Sequence, residues 1–388
     1  MGLYVNPNNT SSFMQEVRKK VYVDKSLVIK ELLDYLEVFN SKFICVSRPR
    51  RFGKTFLSRL LINVFSKGCD SQEIFSNSLI AQEPKYYQYL NTQNVIKIDF
   101  ISEYTGNKEN MFTELNRLII DELKEEFPSV PLDENMKLGF ALSLIHQKLG
   151  EKFIFIIDEY DIVVRESANG NISEEFFNAY LDFLVELFID ESRIDPYTFV
   201  YLTGILPIVK DKIQSKLTNF SESSMLSPLF LAPFIGFTSS EVEDICNKNN
   251  IDYKLCKHWY DGYKLNGYDI YAPTDIIECV KENKIRNYWA NTSTYRVVSD
   301  LINMNFDGTK DSVNKLIINE KVSINVASYS NSMTNFSSLD DVFTYLIHTG
   351  YLSYDENEQV CYIPNNEVRE EWKNAIRLMD NISEPISL

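Results

Sequence analysis

A glycine, a lysine and a threonine in succession, Gly53-Lys54-Thr55, stand where an apolar run, Phe43-Ile44-Cys45-Val46, gives way to a helical pattern through Phe56, Leu57, Leu60, Leu61, Val64 and Phe65. A strand, a tight loop and a helix N-terminus in that order make an anion cradle, because backbone N–H groups and the helix dipole both point at a bound phosphate. In such a cradle Lys54 reaches the β- and γ-phosphates of a nucleotide and the Thr55 hydroxyl ligates Mg²⁺. A second segment, Phe153-Ile154-Phe155-Ile156-Ile157-Asp158-Glu159, is five apolar residues ending in two acids. It reads as a buried strand that presents a metal-binding carboxylate, Asp158, and a water-activating one, Glu159, at its tip.

The loop is Arg48-Pro49-Arg50-Arg51-Phe52-Gly53-Lys54-Thr55, and it has an arginine, Arg48, where the usual phosphate-loop pattern has glycine. One freely rotating hinge is lost, while the members that approach phosphate and metal are kept. Pro49, Arg50, Arg51, Phe52, Gly53, Lys54 and Thr55 are therefore the candidate nucleotide-binding residues. Arg50 and Arg51 read either as secondary phosphate contacts or as a solvated or sheet-edge pair of charges. Thr55 and Asp158 are the candidate Mg²⁺ ligands, with Lys54, Glu159 and Thr203 as the candidate catalytic groups.

The elements that must hold these residues are legible as alternating strands and helices. Leu27, Ile29, Leu32, Leu33 and Leu36 have helical spacing behind Asp24-Lys25-Ser26, and 95–100 is a candidate strand. Helical patterns cover 109–126, about 135–149 and 174–190, and 198–203 is a further apolar strand ending in Thr203. This alternation predicts an α/β fold, a phosphate-loop NTPase with a mostly parallel sheet covered by helices on both faces. The acid pair lies 104 residues after Lys54, with a candidate strand between them. That order fits the NTPase class in which an extra strand separates the two motifs. Thr203 then reads either as a polar sensor beside the γ-phosphate or as a strand-end hydroxyl capping a turn.

Three parts are expected: 1–236, the ATPase domain; 237–296, a helical, aromatic-rich lid; and 297–388, a winged-helix-like module. Thr238-Ser239-Ser240-Glu241 is a capping box that opens the lid. Trp259, Tyr260, Tyr263, Tyr288 and Trp289 either pack the lid core or form an interaction surface.

Composition narrows the function classes. The net charge of −16 is unevenly spread: residues 1–60 hold 11 Lys/Arg against 5 Asp/Glu, and residues 101–200 hold 8 against 21. A basic loop beside an acidic body suits a site that focuses a polyanionic nucleotide. Residues 300–380, with 6 Lys/Arg against 13 Asp/Glu, lack the basic face that DNA contact requires, so nucleic acid is not expected as a partner of this chain alone. The six cysteines form no CxxC, and the three histidines are scattered. Reduced thiols are expected, with no zinc module and no cysteine or serine triad. The longest apolar stretches are too short or too interrupted to span a bilayer, and the N-terminus has neither a signal-peptide nor a myristoylation pattern. A cytoplasmic location follows as the expectation.

With these pieces together the chain resembles the prokaryotic family usually called AAA-ATPase-like. Besides Arg48–Thr55, the matching pieces are Met1–Pro7, Val21–Ser26, Ile157-Asp158-Glu159-Tyr160-Asp161, Leu202-Thr203-Gly204, Trp259–Tyr263 and Tyr288–Thr292, with His348–Leu352 and Ile363–Arg369 in the tail. They span nearly the whole chain, and Arg48 is part of the family pattern. The resemblance implies ATP and Mg²⁺ as cofactors and a degenerate phosphate-loop ATPase, often fused to a C-terminal restriction-endonuclease-like nuclease. No Asp…Glu-x-Lys constellation follows Arg369, so no nuclease activity is expected of this chain. A defence or mobile-element role is implied by association only.

The expected function is slow, Mg²⁺-dependent ATP hydrolysis. A trans-acting arginine from a homo-oligomer would assist it, with Arg165 and Arg193 as candidates by position. The alternatives are a nucleotide-dependent switch whose output is protein binding, and the ATPase portion of a nuclease system acting on DNA.

Overall fold

The computed structural model describes residues 2–106, 110–189, 194–208, 217, 219–289, 296–330 and 336–380. Its contacts divide the chain into two units, Met1–Val46 with Lys54–Ser223, and Ser47–Gly53 with Ser224–Leu388.

The first unit is built on a five-stranded sheet: β1 (Phe43–Ser47), β2 (Asn94–Asp99), β3 (Phe153–Asp158), β4 (Tyr197–Gly204) and β5 (Ser221–Ser223), in the order β2-β3-β4-β1-β5. The pairs β2/β3, β3/β4 and β1/β5 are parallel. Helices flank the sheet, and their spacing puts one apolar face of each against it. Met111–Glu126 buries Leu115, Ile119, Ile120 and Leu123, and Glu174–Phe188 buries Tyr180, Leu181 and Leu184. A strand buried on both faces needs apolar side chains on both, which is why Phe153–Ile157 does not alternate and is wholly buried. Among the described residues no helix is long and apolar enough to cross a membrane.

The sheet order refines the expectation about the extra strand. The strand that falls between the two motifs in sequence, β2, lies at the sheet edge. The strand inserted between β1 and β3 is β4. The tips of β3 and β4 are thereby made neighbours, which brings Thr203 to the acid pair.

The second unit holds two small antiparallel sheets. One comprises β6 (Phe237–Thr238), β7 (Tyr263–Leu265) and β8 (Tyr268–Tyr271) in the order β6-β8-β7. The turn from β7 to β8 is Asn266-Gly267, both with positive φ, the pair that a two-residue hairpin with the native strand twist demands. The other comprises β9 (Val322–Ser323), β10 (Ser353–Asp355) and β11 (Val360–Tyr362) in the order β10-β11-β9. The capping box at Thr238 is formed, with Glu241 reaching back to the Thr238 N–H at 2.7 Å. Tyr260, Tyr263, Tyr288 and Trp289 are buried, so these aromatics pack the interior of the unit. Ala290, Asn291 and Thr292, part of the aromatic-rich run, lie outside the described residues.

Candidate active site

In the first unit, the helix Lys54–Phe65 begins at the lysine itself, and Thr55 is exposed in its first turn. The apolar face of that helix is packed through Leu57, Leu60, Leu61 and Val64, all buried. Lys54 is consequently drawn inward: its side chain is 5% exposed, and Nζ lies 4.0 Å from Glu159 Oε1. Burial lowers the Lys54 pKa, opposed by the carboxylates of Glu159, Asp161 and Asp158. Burial likewise raises the Glu159 pKa, opposed by Lys54 and Arg165.

Asp158 ends β3, and its Oδ1 accepts a hydrogen bond from the Thr203 hydroxyl at the end of β4. Glu159 follows with φ of +53°, in the left-handed region that costs a non-glycine residue about 1–3 kcal/mol. That turn takes the chain off the sheet as β3 ends. Arg165, on the helix Ile162–Ala168, donates from Nη2 to Glu159 Oε2 at 2.6 Å and brings Nε to 3.2 Å from Asp161 Oδ2. Asp161 Oδ2 in turn accepts the N–H groups of Ile205 and Leu206, each at 3.1 Å.

Lys54, Asp158, Glu159 and Thr203 are thus brought together, and Asp161 and Arg165 join them. Asp161 was visible in the sequence only as part of a motif; the four-residue spacing from Asp161 to Arg165 on a helix was the available signal. Arg165, a candidate for a trans-acting arginine, is bonded within its own chain. Arg193, the other candidate, lies outside the described residues.

Residues 47–53 belong to the second unit, and Pro49, Arg51 and Phe52 meet partners there. Arg48 is wholly buried and donates from Nη1 to the Ser47 carbonyl at 2.8 Å. Pro49 is buried against Gly350, where an added Cβ would come within 2.9 Å of the proline ring. Phe52 is buried and meets the edge of Tyr263 with ring centroids 5.1 Å apart. Gly53 has φ of +89°, a conformation that favours glycine before the helix starts.

The two arginines that were read alike differ. Arg50 is exposed. Arg51 is buried, with Nη1 2.8 Å from Asp275 Oδ1 and Nη2 donating to the Tyr288 carbonyl at 2.7 Å, and its guanidinium lies 5.4 Å from the centre of the Trp289 ring. Beside this pair Glu367 accepts the N–H groups of Tyr288 and Trp289, the latter at 2.8 Å. Burial and the Asp275 carboxylate push Glu367 up to about 9, and burial pushes Asp275 up to about 6 against the pull of Arg51.

The donor set fits a Mg²⁺–nucleotide. Thr55 and Asp158 offer hard oxygen donors, the kind Mg²⁺ takes in ones and twos while phosphates complete its shell. Within the first unit's cluster Asp158, Glu159 and Asp161 outnumber Lys54 and Arg165 by one charge, a surplus that a bound cation neutralises.

The profile of the AAA-ATPase-like family, described as predicted AAA-ATPase, matches residues 8–214, more than half of the chain. A curated relative, an uncharacterized protein in the vnfD 5′ region of Azotobacter chroococcum mcd 1, is 22% identical over 285 residues, covering 72% of this chain and 52% of the relative. The chain thus spans about half the length of that relative. Among solved structures, the ORC2 protein of Aeropyrum pernix in ADPNP–ADP complexes is 10% identical, with a TM-score of 0.34 over 95% of this chain and 98% of that one. CDC6P from Pyrobaculum aerophilum is 9% identical, with a TM-score of 0.32 over 97% of this chain and 99% of that one. On the match over residues 8–214, which takes in both the phosphate loop and the strand-tip acids, the chain belongs to the AAA-ATPase-like family.

Proposed function

We propose that this chain binds ATP with Mg²⁺ and hydrolyses it slowly. The observation that carries the reading is the convergence of Lys54, Asp158, Glu159 and Thr203 at the tips of two adjacent strands and one helix N-terminus. Burying adjacent acids is costly unless cations compensate them, and such clusters mark functional sites.

Lys54 is the main charged contact to the nucleotide, within the loop Pro49, Arg50, Arg51, Phe52, Gly53, Lys54 and Thr55. Thr55 and Asp158 hold Mg²⁺, which when bound neutralises phosphate charge and orients the γ-phosphate. Glu159 orients and deprotonates the attacking water, and Thr203 acts through Asp158. Of the two loop arginines, Arg51 is held by Asp275, and we assign the secondary phosphate contact to the exposed Arg50. Assembly of several copies, or docking on a protein partner through the acidic C-terminal part, is the output we expect of the nucleotide cycle. DNA contact is not part of it, because residues 300–380 carry a surplus of acids.

Titration of the wild type and Lys54→Ala with a fluorescent ATP analogue tests the reading. Removing a buried ammonium from phosphate costs about 1.5–3 kcal/mol, so an affinity loss of roughly tenfold to over a hundredfold is expected. Equal affinities would remove the nucleotide site.

A further inference from the structure

Asp161 and Tyr160 lace the tip of β3 to the tip of β4. Asp161 Oδ2 accepts two consecutive backbone N–H groups just past β4, Ile205 and Leu206, and the Tyr160 N–H donates to the Thr203 carbonyl at 2.9 Å. The Tyr160 hydroxyl adds a bond to the Leu206 carbonyl at 2.7 Å. At Gly204 this lacing is so close that an added Cβ would lie 2.7 Å from Asp161 Oδ1 and the same distance from the Tyr160 ring. A charged carboxylate buried against two N–H groups is a rigid anchor.

Arg165 ties Glu159 to that anchor. Its side chain is 10% exposed, so water and salt screen its contacts little, and it uses two different nitrogens of one planar fork, Nη2 on Glu159 and Nε towards Asp161. The hydrogen bond from Nη2 and the ion-pair contact of Nε, 3.2 Å from Asp161 Oδ2, link the two carboxylates through one rigid guanidinium. Glu159 needs such a hold, because its backbone stands in the left-handed region and its other oxygen, Oε1, meets Lys54 only at 4.0 Å.

We propose that Arg165 is a positioning residue that fixes the Glu159 carboxylate against the β3–β4 anchor, in cis, for the water-activating role. This rests on the ATPase reading above, and it replaces a trans-acting role for Arg165, whose guanidinium is committed to its own chain. A water-activating group displaced by about 1 Å can cost on the order of a hundredfold in rate, so the hold acts on turnover and leaves nucleotide affinity alone.

The test uses the full chain as wild type, Arg165→Gln, Arg165→Lys, Glu159→Gln and the Arg165→Gln/Glu159→Gln double variant. Phosphate release gives kcat and KM, and the fluorescent ATP analogue gives affinity. Amide hydrogen exchange on the nucleotide-free protein reports Ile205 and Leu206. Arg165→Gln is expected to lower kcat roughly tenfold to a hundredfold with KM and affinity within about twofold of wild type. The double variant is expected to be no slower than Glu159→Gln alone, and Arg165→Lys, which keeps the charge and loses the fork, to recover part of the rate. Exchange at Ile205 and Leu206, whose N–H groups are held by Asp161, should stay within about twofold of wild type in Arg165→Gln. An unchanged kcat, an additive double variant, a matching loss of affinity or exchange quickened about tenfold, the sign of a general loosening, would each overturn the assignment. A wild type that binds ATP without hydrolysing it would sink the ATPase reading on which the assignment rests, whereas Arg165→Gln as fast as a hydrolysing wild type would sink the assignment alone.

Discussion

Thr203 donates its hydroxyl to Asp158, joining the last turns of two adjacent parallel strands. The bond gives a buried carboxylate a partner and ties the end of β4 to Asp158. It also bears on the two readings of Thr203, since the hydroxyl faces an acid of the candidate site.

Replacing Thr203 with valine keeps the shape and removes the donor, which for a bond to a carboxylate costs about 1.5–3 kcal/mol. Phosphate-release assays should show kcat reduced roughly tenfold to a hundredfold, and Thr203→Ser should restore most of it. If valine and serine behave like wild type, Thr203 has no part in turnover.

Glu159→Gln keeps the volume and removes the base. General-base groups contribute about 10²–10⁴-fold, so single-turnover hydrolysis should fall by that order while the ATP analogue binds with unimpaired affinity. A glutamine variant as fast as wild type would remove the role assigned to Glu159.

The buried Arg51–Asp275 pair with Glu367 beside it makes the second unit sensitive to pH. Both carboxyls bind protons more tightly folded than unfolded, Asp275 at about 6 from 3.8 and Glu367 at about 9 from 4.5. Their contribution is present below about pH 4 and is lost as the pH rises through 6 and then 9. All three tryptophans, Trp259, Trp289 and Trp372, belong to this unit, so their fluorescence reports its unfolding. The urea midpoint should fall between pH 5 and pH 9, and Glu367→Gln should flatten that slope. Asp275→Ala leaves Arg51 buried without its carboxylate and should cost about 3–5 kcal/mol at neutral pH. A midpoint independent of pH in the wild type would contradict the account of this cluster.

Light scattering with no nucleotide, with ADP and with a slowly hydrolysed ATP analogue separates an assembling ATPase from a monomeric one. A larger mass with the ATP analogue than with ADP is the expected outcome. One unchanged mass in all three conditions would count against nucleotide-driven assembly.

Much of the site was legible in the residues because its signals are local. Gly53-Lys54-Thr55 sits between an apolar run and a helical pattern, and the acid pair ends a continuous apolar run; periodicity alone exposes both. The helices at 54–65, 111–126, 138–149 and 174–188 and the strands at 43–47, 94–99, 153–158 and 197–204 lie where the spacing indicated, with shifts of a few residues at their ends. The capping box at Thr238 is likewise a short-range hydrogen-bonding pattern.

What tertiary structure decided is which distant groups meet. Nothing in the local pattern says that β4, not β2, lies between β1 and β3, since strand order depends on how crossovers pack on the sheet. That order brings Thr203 to Asp158 across 45 residues of sequence. Arg50 and Arg51 are neighbours of one type, yet one is exposed and the other is buried against Asp275, 224 residues away. Arg165 likewise has one identity in sequence and another in the fold, where its buried guanidinium meets the carboxylates of Glu159 and Asp161. Residue type sets which chemistry is available, and burial with register sets which partner each charge must take.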